Sequence, residues 1–219
     1  MTSITTASVT PSNFARTART ITVLCAVVLA AFTARIVVRL QLFRDDLTLF
    51  SAEVDHDPGY REGLSHLGRA YERIRQLGAA ERCYRAALVP WRGRVSFFDR
   101  DALLINLTHN LAAQGRQADA FEFAAANIGP VRTESHRLEL LYNQAVAAYN
   151  LGRFPVALPL LQDYGRQRPR DAVCLFLIGA TAAKVGDGQL ARESLRRYLQ
   201  LRHGDERRDR DARRILESL

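Results

Sequence analysis

From Leu141 to Tyr164 the apolar positions fall into two short runs at helical spacing. Ala145 and Ala148 recur before Gly152-Arg153, and Ala157, Leu158 and Leu161 recur after it. That period, interrupted by a glycine, predicts two amphipathic helices joined by a tight turn. Small residues at the seam let the two backbones approach closely, and larger residues fill the space toward neighbours. Pro169 stands where the second helix must stop. One such hairpin cannot bury its apolar face alone, so the pattern should recur.

It does recur. Gly186 follows Gly152 by 34 residues (186 − 152), with Leu175, Ile178, Gly179 and Ala182 before it and Ala191, Leu195 and Tyr198 after it. Gly115 takes the same turn position within residues 102–128. A first copy spans residues 64–90, with Leu67-Gly68, Tyr71, Ala80, Tyr84 and Ala87 at matching offsets. Taking Gly68, Thr108, Ala145 and Gly179 as equivalent gives spacings of 40, 37 and 34 (108 − 68, 145 − 108, 179 − 145). The surplus in the first two intervals is expected in loops. Copy two is the poorest, with Asn127 where a small residue is usual.

On these residues, the stretch from about 59 to 202 resembles the tetratricopeptide (TPR) family, whose period is about 34 residues. The resemblance implies an all-α solenoid of stacked helix pairs. It implies no reaction, because the family is a scaffold. The expected organisation is a flexible tail (1–19), a transmembrane helix (20–43), a half-repeat helix (44–58), four repeats (59–202) and a C-terminal capping helix (203–219). Phe50, Val54 and Pro58 match the second half of a repeat, and Asp45 or Asp46 is positioned to cap its helix. At the other end Ile215, Leu216 and Leu219 suit a cap with a polar outer face.

The run Ile21–Ala34 is apolar and continues through Arg35 and Arg39 to Phe43. A bilayer crossing takes about 20 residues, with arginine at the end free to snorkel. A single-pass membrane helix is therefore the leading expectation, ahead of a cleaved signal peptide and an interfacial helix. Charge supports that emphasis. The formal net charge is +8, and residues 1–44 carry Arg16, Arg19, Arg35, Arg39 and Arg44 with no acidic residue. That leaves +3 (8 − 5) for the remainder, so the basicity flanks the apolar run. Anionic lipid, not nucleic acid, is the expected counterpart. The flanking arginines alone slightly favour cytoplasmic repeats. The acid-free leader, and placement of Arg35 and Arg39 within the helix end, favour the opposite: N-terminus inside, repeats periplasmic, at a bacterial inner membrane.

Arg44-Asp45-Asp46, Leu47–Phe50, Asp57-Pro58 and Leu67-Gly68 carry a second resemblance. They look like the junction between the last membrane helix and the repeats in bacterial relatives of the transmembrane-and-TPR O-mannosyltransferases. The resemblance covers roughly residues 36–90 and implies repeats outside the membrane. The many-helix catalytic part of those enzymes has no counterpart here, so no catalytic residue transfers.

The search for chemistry returns little. His56, His66, His109, His136 and His203 form no metal-binding pair, and Cys25, Cys83 and Cys174 form no CxxC. Asp55-His56-Asp57 sits at a helix end, where polar residues are normal. Gly186-Asp187-Gly188 lacks the strand and the Lys-Ser/Thr of a phosphate loop. Asn106-Leu107-Thr108 matches a glycosylation acceptor but lies inside a packed helix. No catalytic residue, cofactor or metal is expected, and the chain is read as a non-enzyme.

What remains is a groove. First helices line the concave wall of such a stack, placing His66, Arg69, Arg73, Asn106, His109, Tyr142, Asn143, Tyr149, Asn150 and Lys184 on it. Amides can bond an extended backbone, rings supply area, and cations can take a carboxylate. Tyr142 and Asn143 are expected away from the packing seam, so that alanine there weakens partner binding without unfolding. Trp91, Phe97 and Phe98 lie outside the repeat pattern, as a satellite cluster or an exposed aromatic patch. The expected function is a membrane-anchored protein-interaction scaffold in a bacterial membrane complex. The alternative is a non-catalytic partner chain of a membrane glycosyltransferase.

Overall fold

A computed structural model of the chain describes residues 11–89, 98–201 and 204–219, and Trp91 and Phe97 lie outside them. Eleven helices and no strand occur among the described residues. An apolar helix comes first, α1 (Pro11–Leu42), followed by α2 (Asp46–His56). Four pairs then stack in chain order: α3 (Arg61–Arg73) with α4 (Leu77–Leu88), α5 (Arg100–Ala113) with α6 (Gln117–Asn127), α7 (Glu134–Asn150) with α8 (Phe154–Gln167), and α9 (Ala172–Val185) with α10 (Gly188–Gln200). The last helix, α11 (Glu206–Glu217), packs on α9 and α10.

The turns explain the spacing. Gly115, Gly152 and Gly186 have φ of 79°, 71° and 89°, the left-handed conformation that ends a helix. Arg75 takes the same position in the first pair, with φ of 62°. The four turn residues are 40, 37 and 34 apart (115 − 75, 152 − 115, 186 − 152), matching the seam positions. The first surplus lies between α4 and α5, as expected. The second does not lie only in a loop: α7 runs 17 residues against 14 in α9. Thr133 starts it early by accepting from the N–H of His136 at 3.4 Å. Glu134 pairs with Arg137 at 2.6 Å in a first turn that favours the acid.

A non-glycine residue in that conformation is strained by roughly 1–2 kcal/mol, while glycine adds about 0.5–1 kcal/mol of chain entropy. Arg75→Gly is therefore expected to stabilise the first pair by about 0.5–1 kcal/mol. Thermal unfolding followed by circular dichroism in mild detergent checks this. A lower midpoint would mean that the arginine side chain contributes more than its backbone costs.

Two apolar clusters make the core. Leu64, Tyr84, Leu103, Leu107 and Leu111 belong to the first; Ala145, Leu161, Leu175, Ile178, Leu195 and Tyr198 belong to the second. Phe121 packs against both and joins them. The first two pairs also share a polar seam. Fully buried Asn110 donates to Glu72 at 3.0 Å and accepts from Gln114 at 2.8 Å. Gln114 donates to Glu81 at 2.9 Å, and Arg116 pairs with Glu81 at 2.7 Å. Burial alone would raise the Glu81 carboxyl, but donors from Gln114, Arg85 and Arg116 outweigh it and hold it below its ordinary value. Its stabilising share is thus present above the unfolded carboxyl value and lost as pH falls through the depressed one.

Asp45 caps α2, accepting from the Thr48 N–H at 2.8 Å, and α2 ends before Pro58. It covers α3, with Phe50 stacked on His66 at 4.6 Å and Val54 against the first cluster. Asn127, the misfit of copy two, closes α6 by donating to Phe123 O at 2.8 Å. At the other end Tyr198 donates to Asp209 at 2.9 Å and Ala212 is buried, fixing α11.

Of the tail expected over residues 1–19, residues 1–10 lie outside the described residues. Residues 11–19 are helical, continuous with the apolar segment, and Pro11 suits a first helical position because it lacks the N–H left unsatisfied there. The segment Ala18–Val38 is long and apolar enough to cross a membrane and buries none of its surface in the chain. Cys25 is exposed on it, unlike buried Cys174.

Candidate functional site

The wall formed by first helices carries a pocket of about 410 Å³ near the C-terminal end. Tyr149 of α7 and Phe176, Ala180 and Ala183 of α9 supply an apolar lining, with Lys184 at the rim. Asp211, Arg214, Ile215, Ser218 and Leu219 close the third side from α11 and the chain end. The alanines leave the room, and the aromatic rings give it walls. Tyr149 is held edge-on to Phe154 at 5.6 Å, and burial pushes its hydroxyl above its ordinary value. Arg214 pairs with Asp211 at 3.5 Å, whereas Lys184 is exposed with no ion pair to any described residue. The arrangement suits an apolar group joined to an anionic one.

Of the sequence-predicted wall residues, Tyr149 and Lys184 meet in this pocket and the others do not. His66 is stacked under α2, and Arg73 pairs with Asp46 of α2 on the surface. Arg69 and His109 are exposed, and Asn106 and Asn143 are half-buried. Asn150 donates to Gln117 at 3.4 Å, bridging two pairs.

Tyr142 corrects the expectation that it stands clear of the packing. It is half-buried against the second cluster, with its ring 4.8 Å from that of Tyr164. Burial, helped by the Asp171 carboxylate, pushes its hydroxyl up to about 12. Tyr142→Ala would therefore disturb folding and could not report on binding alone. For Phe98 the structure decides between the two readings, satellite cluster and exposed patch. It is half-buried against the first cluster with the Arg61 guanidinium 4.3 Å above its ring, so it is a packing residue and not part of an exposed patch.

The pocket also uses residues that the sequence reading passed over. Phe176, Asp211 and Arg214 fall outside the repeat's groove positions, and the sequence reads α11 only as a cap. The signal was present: Asp211, Arg214, Ile215 and Ser218 recur at helical spacing on one face.

One trio has metal-ligand chemistry. Ligand atoms of Asp99, Asp101 and His136 lie within 4.8 Å of one another. One oxygen of each aspartate already accepts hydrogen bonds. Asp99 caps α5, accepting from the N–H groups of Asp101 and Ala102 at 3.0 Å. Asp101 accepts from the Arg132 N–H at 2.9 Å, clasping the segment before α7. His136 Nδ1 is buried without a hydrogen-bond partner among the described residues, and its Nε2 lies 3.9 Å from Asp99 Oδ2.

Solved structures with this fold are TPR proteins. A crystal structure of MamA superposes with a TM-score of 0.60 at 14% identity, over 70% of this chain and 85% of its own. YrrB, described as a TPR protein with an unusual peptide-binding site, matches with a TM-score of 0.63 at 15% identity, over 82% of this chain and 88% of its own. The pilF protein of Pseudomonas aeruginosa matches with a TM-score of 0.61 at 14% identity, over 77% of each chain. No protein-family model matches the sequence, and no curated protein matches it significantly. At these identities the likeness is one of fold. The fold is that of the TPR solenoids, preceded among the described residues by one helix long and apolar enough to cross a membrane.

Proposed function

We propose that this chain is a membrane-anchored interaction scaffold of the bacterial envelope, with α1 as the anchor and the pocket between α7, α9 and α11 as the partner site. The observation that carries it is the joining of an uncovered apolar helix to a repeat stack with an open, cation-rimmed pocket on its inner wall. Solenoid concavities are surfaces that such proteins use, and YrrB, with the same fold, carries a peptide-binding site. The expected partner is a protein segment with an apolar side chain beside a carboxylate. The Arg44–Pro58 junction motif favours one particular complex, a membrane glycosyltransferase to which this chain is a non-catalytic companion. The expected orientation leaves the repeats periplasmic.

Extraction from native membranes in mild detergent tests the reading. A defined partner should co-purify with the wild-type chain, and Lys184→Glu with Arg214→Glu should reduce its recovery at least about tenfold, as for loss of a charged contact. Both residues are exposed, so the unfolding midpoint should hold. Undiminished recovery with a folded double variant would overturn the pocket assignment. A multi-span transferase among the partners would select the glycosyltransferase complex. Protease added to intact spheroplasts should digest the repeats, and survival until rupture would place them in the cytoplasm.

A further inference from the structure

Stacking brings matching positions of successive repeats together, and one such meeting has ligand chemistry. Asp99 caps α5 and Asp101 lies in its first turn, while His136 lies in the first turn of α7. Asp99 and His136 are 37 residues apart (136 − 99), the interval between the second and third turn residues. His136 is helical because α7 starts early, at the Thr133 cap. The longer α7 thus carries an imidazole to two carboxylates of the neighbouring pair. No spacing along one helix announces this set, because its members come from successive repeats.

The trio is short of partners for its burial. Asp101 is only 6% exposed. Neither it nor Asp99 pairs with an arginine or lysine among the described residues, in a chain with 31 such side chains. A carboxylate taken out of water is costly without a cation to meet it. The backbone N–H groups bond to Oδ1 of Asp99 and Oδ2 of Asp101, which leaves Asp99 Oδ2 and Asp101 Oδ1 for another ligand. Neither ring nitrogen of His136 is hydrogen-bonded to a described residue. Nδ1 is buried without a partner, and Nε2 lies 3.9 Å from Asp99 Oδ2, beyond hydrogen-bond reach. A buried polar atom ordinarily has a partner. Two carboxylates beside a neutral imidazole carry two negative charges, which a divalent cation cancels.

We propose that Asp99, Asp101 and His136 bind a divalent transition-metal ion of the zinc class and so clasp the start of α5 to the start of α7. Imidazole beside carboxylate suits zinc and its neighbours, whereas magnesium and calcium take oxygen ligands. Ligand atoms round a tetrahedral ion at about 2.0–2.1 Å stand about 3.4 Å from one another. The three here lie within 4.8 Å of one another. Asp99 and His136 are 57% and 27% exposed and close the difference by side-chain rotation. Three protein ligands leave the fourth position to water. The site is separate from the inner-wall pocket and does not depend on it.

The test uses the full chain in uncharged maltoside micelles, stripped of metal by a chelator, with zinc chloride as the probe. Zinc should raise the unfolding midpoint saturably, and magnesium or calcium at equal concentration should not. Hydrogen exchange should show amides in the first turns of α5 and α7 gaining protection when zinc binds. Asp99→Asn keeps the helix cap, and Asp101→Asn keeps an acceptor for the Arg132 N–H. Each of these, like His136→Gln, should weaken zinc binding in equilibrium dialysis by more than about 100-fold, beyond the range for a group that merely supports a ligand. The midpoint of each variant without zinc is its own baseline, so a destabilised variant still reports through its zinc-dependent shift. Absence of that shift in the wild-type chain overturns the site. Zinc binding that survives all three substitutions overturns it too, and places the ion on other histidines and cysteines.

Discussion

Tyr84→Ala is expected to destabilise the first two repeats by about 3–5 kcal/mol, the range for deleting a large buried aromatic side chain. The ring is fully buried at the meeting of α3 and α4. It packs flat over Gly68, where a Cβ would come within 2.4 Å of it. Alanine would leave a cavity that the rigid helix pair cannot collapse into. The hydroxyl matters less. It donates to Glu72 at 3.0 Å, and burial, reinforced by that carboxylate, holds it protonated far above its ordinary value. Glu72 keeps its bond from Asn110 when the hydroxyl goes, so Tyr84→Phe should cost only about 1 kcal/mol. Chemical denaturation of the three proteins in the same detergent separates the two contributions. Equal midpoints for the alanine and phenylalanine variants would show that the ring packs loosely and that the polar seam holds these repeats.

The features legible in the sequence are those that local chemistry dictates. A glycine can turn left-handed without strain and can sit under a neighbouring helix, so Gly115, Gly152, Gly186, Gly68 and Gly179 announced turns and seams. The features that were not legible depend on what a side chain meets across the stack. Arg75 takes a glycine's place because the helices on either side force the turn, and nothing local to Arg75 signals that. Tyr142 has the spacing of a wall residue, yet Tyr164 and the start of α9 close over it. The wall pocket was half visible. Tyr149 and Lys184 lie on first helices with recognisable phase, but their partners Asp211 and Arg214 belong to a helix outside the repeat, whose docking angle no periodicity encodes.

Gly179→Val is expected to cost about 3 kcal/mol or more, at the upper end for overpacking a tight core. A Cβ at this position would sit 2.5 Å from Leu195 Cγ, 2.8 Å from its Cδ2 and 3.3 Å from the backbone oxygen of Ala191. Leu195 is fully buried and has no free direction, and the carbonyl belongs to a helix that can move only as a body. The pair α9–α10 must therefore separate. In a stack where each repeat contacts its neighbours only, the damage should stay at that end. Hydrogen exchange should show amides of α9, α10 and α11 losing protection while those of α3 to α6 keep it. Gly78 supplies the control, because a Cβ there meets nothing nearer than an arginine tip at 4.0 Å. Gly78→Ala should be neutral or stabilise by up to about 1 kcal/mol through helix propensity. The wall pocket draws on the damaged pair through Lys184 and Phe176 of α9. The valine variant should then lose partner recovery while the first two repeats remain folded. Uniform loss of protection along the chain would show instead that the two core clusters, joined through Phe121, unfold as one unit.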